Sequence, residues 1–220
     1  MDPDNQAYPT MLGAPSGGPK PDDSRLPPEK HGAWRIELRY LPIDVPGILP
    51  LVNRGHAFLT LVDPEGKPVK QLHGRAQSKH TGEIKTMGSD DDRLVVPDDD
   101  WMSPERTRKI SDVAAGTYDD IVRGKWTRGL QAADEINGRN LDYKGDDASY
   151  EAFGGSGGQI QNSNSVAHTF GRAMDLDLST AIHDAGLDRK FPGWGRDLLD
   201  PSYKPYVAPP MFPPDDTHRQ

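Results

Sequence analysis

The prolines of this chain are concentrated at its two ends, and they limit where a folded domain can lie. Seven of the 21 prolines fall in residues 1–31 and six fall in residues 201–220. Proline-rich segments with few apolar residues bury too little surface to offset the entropy that ordering costs. We therefore expect disordered Pro-rich tails at residues 1–31 and 205–220, with a single folded domain at residues 32–204.

Charge and composition exclude several classes of protein. The net charge of −8 argues against a nucleic-acid partner, because phosphate binding depends on clustered Lys and Arg. No run of about 18 apolar residues is present, so the chain is predicted not to span a membrane. The absence of cysteine excludes disulfides, thiolate metal sites and cysteine nucleophiles. The acidic runs at residues 90–92 and 98–100 lack calcium-loop spacing, so we predict solvated loops there and no metal or cofactor site.

The first half of the domain carries the pattern of an antiparallel sheet. Apolar and charged residues alternate over residues 33–40, which is the two-residue period of a half-buried strand. Prolines at positions 42, 46 and 50 are then expected to break the chain. Residues 56–62 are more continuously apolar and predict a second, more buried strand. Residues 69–74 predict a third strand, which forms a hairpin with the second, and residues 94–96 a further short one.

Helical patterns dominate the second half. Ser103-Pro104-Glu105 has the residue types of a helix start, with a capping Ser and a Pro in the first turn. Apolar residues from Ile110 to Val122 follow at helical spacing, and the intervening glycines leave open whether they form one helix or two. Another helix with one apolar side is predicted after residue 162. The sequence therefore predicts an α+β fold in which a small antiparallel sheet packs against helices.

Residues 157–168 form a polar segment that is the strongest candidate for a functional centre. Within it, a glycine-rich loop leads into Asn162-Ser163-Asn164-Ser165 at the predicted helix start. Backbone N–H groups and the helix dipole stabilise negative charge at such a position. A Ser nucleophile also requires a base. His56, at the start of a buried strand, is the candidate base, and His73 on the neighbouring strand is the candidate residue that fixes the His56 tautomer.

Each of these residues also has a purely structural interpretation. Asn-Ser-Asn-Ser before an apolar helical pattern is an N-cap sequence. His56 and His73 are equally interpretable as hydrogen-bonded strand residues, and His168 as a helix-surface residue. We retain Ser163, His56 and His73 as candidate catalytic residues. The candidate binding residues are Asn162, Asn164, Ser165 and His168.

This arrangement resembles the circularly permuted papain-like superfamily, which includes the permuted NlpC/P60 hydrolases and the lecithin–retinol acyltransferase-like enzymes. The resemblance covers about residues 33–177 and is carried by Gly55-His56-Ala57-Phe58, His73 and Asn162-Ser163-Asn164-Ser165-Val166. In those families the helix start commonly reads Asn-Cys-x-Ser/Thr-Phe. The resemblance implies a permuted papain-like fold in which Ser163 is the nucleophile, His56 the general base and His73 the orienting third residue.

The chain departs from the superfamily at position 163, where Ser stands in place of the usual Cys. A Cys beside an imidazolium at a helix N-terminus is ionised near neutral pH, whereas a Ser hydroxyl must lose its proton during attack. Three explanations stay open. The branch uses Ser, the site has lost activity and kept its pocket, or a Cys-to-Ser change has been engineered.

The resemblance implies a hydrolase or acyltransferase acting on an amide or ester bond. Peptidoglycan amides are the first substrate class that it implies and lipid esters are the second. A similar His-Ala-Tyr/Phe and Asn-Ser-Asn-Ser pairing occurs in toxin-like or phage-associated bacterial domains, which implies an effector with an immunity or delivery protein as partner. The alternative is a catalytically inactive papain-like binding module. Residues 1–5 lack the features of a secretion signal, so we expect cytoplasmic residence or export without a conventional signal peptide.

Overall fold

The computed structural model of the protein describes residues 23–43, 54–85, 88–98, 100–145, 160–187 and 190–208. The outer parts of both predicted tails, the prolines at 46 and 50, and most of the glycine-rich loop before residue 160 lie outside these ranges. The described residues form antiparallel sheets packed against helices, which confirms the α+β class. Across these ranges, no helix is both long enough and apolar enough to cross a membrane.

The main sheet is antiparallel, with four strands in the order β3-β2-β1-β7. Its strands are β1 (Trp34–Ile43), β2 (Arg54–Val62), β3 (Pro68–Leu72) and β7 (Arg108–Gly116). Apolar side chains at paired positions such as Leu38 and Leu59 are fully buried in the core. β1 continues through Pro42, where the sequence predicts a break. It can do so because its pairing with β7 ends at Tyr40, so the missing N–H of Pro42 is not needed on that side.

A second antiparallel sheet has three short strands in the order β5-β4-β6. The strands are β4 (Arg75–Ser78), β5 (Ile84–Lys85) and β6 (Asp92–Val95). The sequence predicts only the last of them, because the others are short and bury few apolar side chains. Only His73 and Gly74 separate β3 from β4, so this two-residue junction joins the two sheets.

Strand β7 occupies much of the region where the sequence predicts a helix, and that prediction is wrong. Ser103 and Pro104 introduce only a single 3₁₀ turn, Pro104–Arg106, after which the chain pairs with β1. The register of this pairing shifts at two points along β1. Each shift interrupts the two-residue alternation of the strand. The half-buried apolar residues therefore fall at a spacing that imitates a helix, and they are Ile110, Val113 and Ala114.

The helices follow β7 along the chain. A π-helical segment, Asp119–Trp126, continues directly into α1 (Thr127–Gly138), so the helical stretch is unbroken. The predicted later helix is α2 (Ser163–Met174), and the sequence does not predict the short α3 (Leu178–Asp184). Helices α1 and α2 approach closely at position 129, because a Cβ on that glycine would overlap the side chain of Met174.

Contacts with the body extend into both predicted tails. Tyr118 donates a hydrogen bond from its hydroxyl to the carbonyl of Pro27 at 2.7 Å. At the other end, the backbone N–H of Tyr206 donates to Oε1 of Gln161 at 3.1 Å. The packed part of the chain therefore reaches beyond residues 32–204 on both sides.

Candidate functional site

Helix α2 begins with a capping box. Asn162 is the N-cap residue, and its side-chain oxygen accepts hydrogen bonds from the N–H groups of Asn164 and Ser165. The Ser165 hydroxyl in turn accepts a hydrogen bond from the backbone N–H of Asn162. The capping interpretation is therefore correct for Asn162 and Ser165. The side chains of Ser163 and Asn164 take no part in the cap.

The side chain of Asn164 joins helix α2 to strand β2. Its Oδ1 accepts a hydrogen bond from the N–H of Ala57 at 2.8 Å, and its Nδ2 donates to the carbonyl of Gly55 at 3.0 Å. Nδ2 also donates to the carbonyl of Pro192 at 3.1 Å. Strand β3 pairs with β2 only from Leu59 onward, so this amide fills the part of the β2 edge that β3 leaves open. The start of α2 is thereby fixed against the backbone on both sides of His56.

Ser163 is the first residue of α2 and lies against the junction between the two sheets. A Cβ placed on Gly74 would come within 2.9 Å of the Cα of Ser163, so only a glycine fits there without moving the helix. Ser163 is buried, with 8% of its surface exposed. Its N–H is the first-turn donor that the Asn162 cap does not use. Ser163 therefore brings both a hydroxyl and a helix-terminal N–H to this junction.

His56 and His73 form a buried pair. Their ring centroids are 5.7 Å apart and the ring planes are nearly perpendicular. Phe58 packs against both rings, at 6.0 Å from His56 and 5.9 Å from His73. Nε2 of His56 and Nδ1 of His73 are buried, and neither has a hydrogen-bond partner among the described residues. The hydrogen bond by which His73 would orient His56 is therefore absent from this structure.

A different part of the chain holds His73. Its Nε2 lies 3.0 Å from the backbone carbonyl of Asp100. The Asp100 carboxylate forms an ion pair with Arg75, in which Oδ2 lies 2.6 Å from Nε. Sequence reasoning identifies neither Asp100 nor Arg75 as part of the site.

The acidic runs match the predicted solvated loops only in part: Asp91 and Asp98 are exposed, but two other aspartates make specific contacts. Asp92 is buried and pairs with Lys85 at 2.7 Å, while Asp100 contacts the histidine pair through His73. Among the residues with described positions, no group of three or more His, Asp and Glu side chains is arranged to hold a metal ion.

Burial sets the protonation state of the histidine pair. It lowers the pKa of His56 well below its ordinary value, and the charge that His73 carries when protonated and the charge of Arg75 act in the same direction. Burial also lowers the pKa of His73; Arg75 adds to this effect, whereas the backbone and carboxylate of Asp100 oppose it. Both rings are therefore neutral near pH 7, which is the form that accepts a proton.

The alternation of side chains along β2 determines which face of the main sheet carries His56. Ala57 and Leu59 belong to the core that also contains Val166 and Phe170 of α2. Alternate side chains of a strand point to opposite faces, so His56 lies on the other face from these residues. The first turn of α2 contacts Gly74, next to His73, and the backbone of Gly55 and Ala57, on either side of His56. We call this region, where β3 ends, the corner.

His168 lies apart from this corner. It stands five residues after Ser163, a rotation of about 140° around an α-helix. Its half-buried ring packs edge-on against Trp194 with a centroid distance of 5.5 Å. It lines a groove together with Arg172 and the residues that precede α3. The structure thus brings His56 and His73 into contact and places Ser163 against Gly74, the residue after His73. His168 packs against Trp194 on another side of α2.

The fold and this corner define an α+β protein with a candidate polar site at the start of a helix. No protein-family model, curated protein or solved structure matches the chain.

Proposed function

We propose that the protein is a papain-like hydrolase or acyltransferase that cleaves an amide or ester bond, with Ser163 as nucleophile and His56 as general base. The observation that carries this proposal is the pair of hydrogen bonds in which Asn164 accepts from the N–H of Ala57 and donates to the carbonyl of Gly55. These bonds fix the first turn of α2 beside the strand residue that the resemblance assigns as the base.

The proposed reaction follows from the groups at the corner. The Oγ of Ser163 attacks the carbonyl carbon while the neutral imidazole of His56 accepts the hydroxyl proton. The backbone N–H of Ser163 stabilises the resulting oxyanion, assisted by the positive end of the helix dipole. The imidazolium then returns the proton to the leaving amine or alcohol. Water releases the acyl group in a hydrolase, and a second alcohol or amine accepts it in an acyltransferase.

Peptidoglycan amides are the first proposed substrates and lipid esters the second, both on the strength of the papain-like resemblance. The same resemblance supports the proposal that the chain is a bacterial effector with an immunity or delivery partner. The neutral state of both histidines supports acyl transfer near pH 7, because neither ring must lose a proton before it can act.

The direct experiment compares Ser163→Ala and His56→Ala with the unaltered protein on purified peptidoglycan and on phospholipid vesicles. Ser111→Ala is the matched control, because Ser111 lies on β7, at the opposite edge of the main sheet from β3. We expect turnover to fall at least about a hundredfold in the two site variants, the usual contribution of a general base or nucleophile. Undiminished turnover in both site variants contradicts the proposal.

A catalytically inactive papain-like binding module is the second candidate, and one observation favours it. Nε2 of His56 and Nδ1 of His73 accept no hydrogen bond from Ser163. In addition, His56 belongs to the face of the sheet that α2 does not cover. Binding of a peptidoglycan fragment or lipid that is unchanged in Ser163→Ala, with no product released by any form of the protein, supports this candidate instead.

A further inference from the structure

We propose that Arg75 and Asp100 are positioning residues for His73: they hold its ring with the proton on Nε2 and leave Nδ1 as the acceptor. This proposal rests on the proposed function, because it concerns the same site. In this arrangement Nδ1 of His73 acts as a hydrogen-bond acceptor. The papain-like resemblance implies instead that His73 is hydrogen-bonded to His56.

The tautomer follows from the partner of Nε2. A backbone carbonyl can only accept a hydrogen bond, so the contact of 3.0 Å to the Asp100 carbonyl requires a proton on Nε2. A neutral imidazole has one N–H, and Nδ1 therefore carries the lone pair. That nitrogen is buried and has no partner among the described residues.

Two contacts keep the Asp100 carbonyl in place. The carboxylate of Asp100 pairs with Nε of Arg75, which lies two residues after His73. On the other side, the amide of Gln71 exchanges two hydrogen bonds with the backbone of Met102, at 2.9 and 2.8 Å. Gln71 and Arg75, which lie on either side of His73 in the sequence, thus hold the segment of residues 100–102 in place. Arg75 contributes an ion pair, which places its positive charge beside the Asp100 carboxylate.

The charged and titratable groups around His73 lead to opposite predictions for two variants. They are His56 on β2, Arg75 on β4 and the Asp100 carboxylate. Loss of Arg75 removes a positive charge and frees a carboxylate near the ring, so protonation of His73 becomes easier. Loss of the Asp100 carboxylate removes a negative charge and makes protonation harder. A loss of packing without an electrostatic role would move both variants in the same direction.

The test is two-bond ¹H–¹⁵N spectroscopy of the full chain with labelled histidine, in which a His73→Gln variant assigns the resonance. We expect the unaltered protein to show the Nε2-protonated tautomer at pH 7. Arg75→Gln is expected to give a mixture of tautomers and to raise the pKa of His73 by about one unit. Asp100→Asn is expected to give a similar mixture with a lower pKa.

Arg93→Gln is the matched control, because Arg93 is an exposed residue of the same small sheet, on β6. It should leave the His73 spectrum unchanged, as should Ser163→Ala. If Arg75→Gln does not fold, Asp100→Asn still tests the proposal. An Nδ1-protonated His73 in the unaltered protein overturns the inference, and so does an identical His73 spectrum in Arg75→Gln and Arg93→Gln. The measurement uses no substrate, so it distinguishes failure of this inference from failure of the proposed function.

Discussion

The side-chain oxygen of Asn164 accepts a hydrogen bond from the backbone N–H of Ala57 at 2.8 Å, and this contact joins the first turn of α2 to strand β2. The same amide donates to the carbonyl of Gly55. An amide satisfies both neighbours because it carries one acceptor and one donor group. The geometry of the corner therefore depends on this side chain having an oxygen and an NH₂ group together.

Asn164→Asp should destabilise the protein strongly, although it changes only the NH₂ group. A carboxylate cannot donate to the carbonyls of Gly55 and Pro192, and it would leave a negative charge buried beside them. We expect the free energy of unfolding to fall by about 2–4 kcal/mol in urea denaturation at pH 7. Asn137→Asp is the control, since Asn137 makes a similar pair of bonds to Val96 from an exposed position. Equal losses in the two variants would show that burial of the Asn164 amide is unimportant.

Gly74→Ala should push the start of α2 away from the histidine pair. The added methyl would lie 2.6 Å from Cγ2 of Val166 and 2.9 Å from Cα of Ser163, and the second of these is backbone. We expect a loss of about 1–3 kcal/mol in the free energy of unfolding, measured by urea denaturation. Gly138→Ala is the control, because a Cβ there meets no atom within 4 Å. A Gly74→Ala protein as stable as Gly138→Ala contradicts the close approach of Ser163 to this junction.

Stability should decrease as the pH falls below about 6.5. Burial lowers the pKa of His56 and His73 in the folded protein, so the unfolded chain binds more protons than the folded one at mildly acid pH. Stability is thus complete above the unfolded pKa and declines as the pH falls from there toward the folded values. The slope is up to about 1.4 kcal/mol per pH unit for each histidine.

Urea denaturation at pH 7.5 and pH 5.5 measures this decline. The double variant His56→Gln, His73→Gln should show a much smaller difference between the two pH values. His80→Gln is the control, since His80 is exposed. A double variant that loses as much stability between these pH values as the unaltered protein rules out the histidine pair as the cause.

Local sequence patterns predict the elements that follow one simple period. Strand β2 and helix α2 each keep an unbroken pattern, so the positions of His56 and Ser163 within their elements follow from the sequence. Strand β7 does not keep its period, because two register shifts against β1 displace its buried residues. The sequence therefore predicts the elements that carry the candidate site better than the strand at the far edge of the sheet.

The surroundings of the site depend on contacts that leave no local pattern. Asp100 reaches His73 through a backbone carbonyl, which every residue type possesses. Arg75 pairs with a residue 25 positions away, and nothing near either residue in the sequence indicates this partner. The Asn-Ser-Asn-Ser motif illustrates the same limit, because capping uses Asn162 and Ser165 whereas Asn164 binds a distant strand. The capping role and the strand-binding role can be told apart only in the folded structure.

The proposed acyl transfer requires the corner to activate the nucleophile at position 163. Because the chain contains no cysteine, Ser163→Cys introduces a single thiol, and its rate of alkylation by iodoacetamide as a function of pH gives the thiol pKa directly. Ser111→Cys provides the reference thiol on β7. We expect the pKa at position 163 to lie at least about one unit below the free value of ~8.5, because the positive end of the helix dipole favours the thiolate. A thiol at position 163 that titrates at or above the pKa of the thiol in Ser111→Cys contradicts the proposed function.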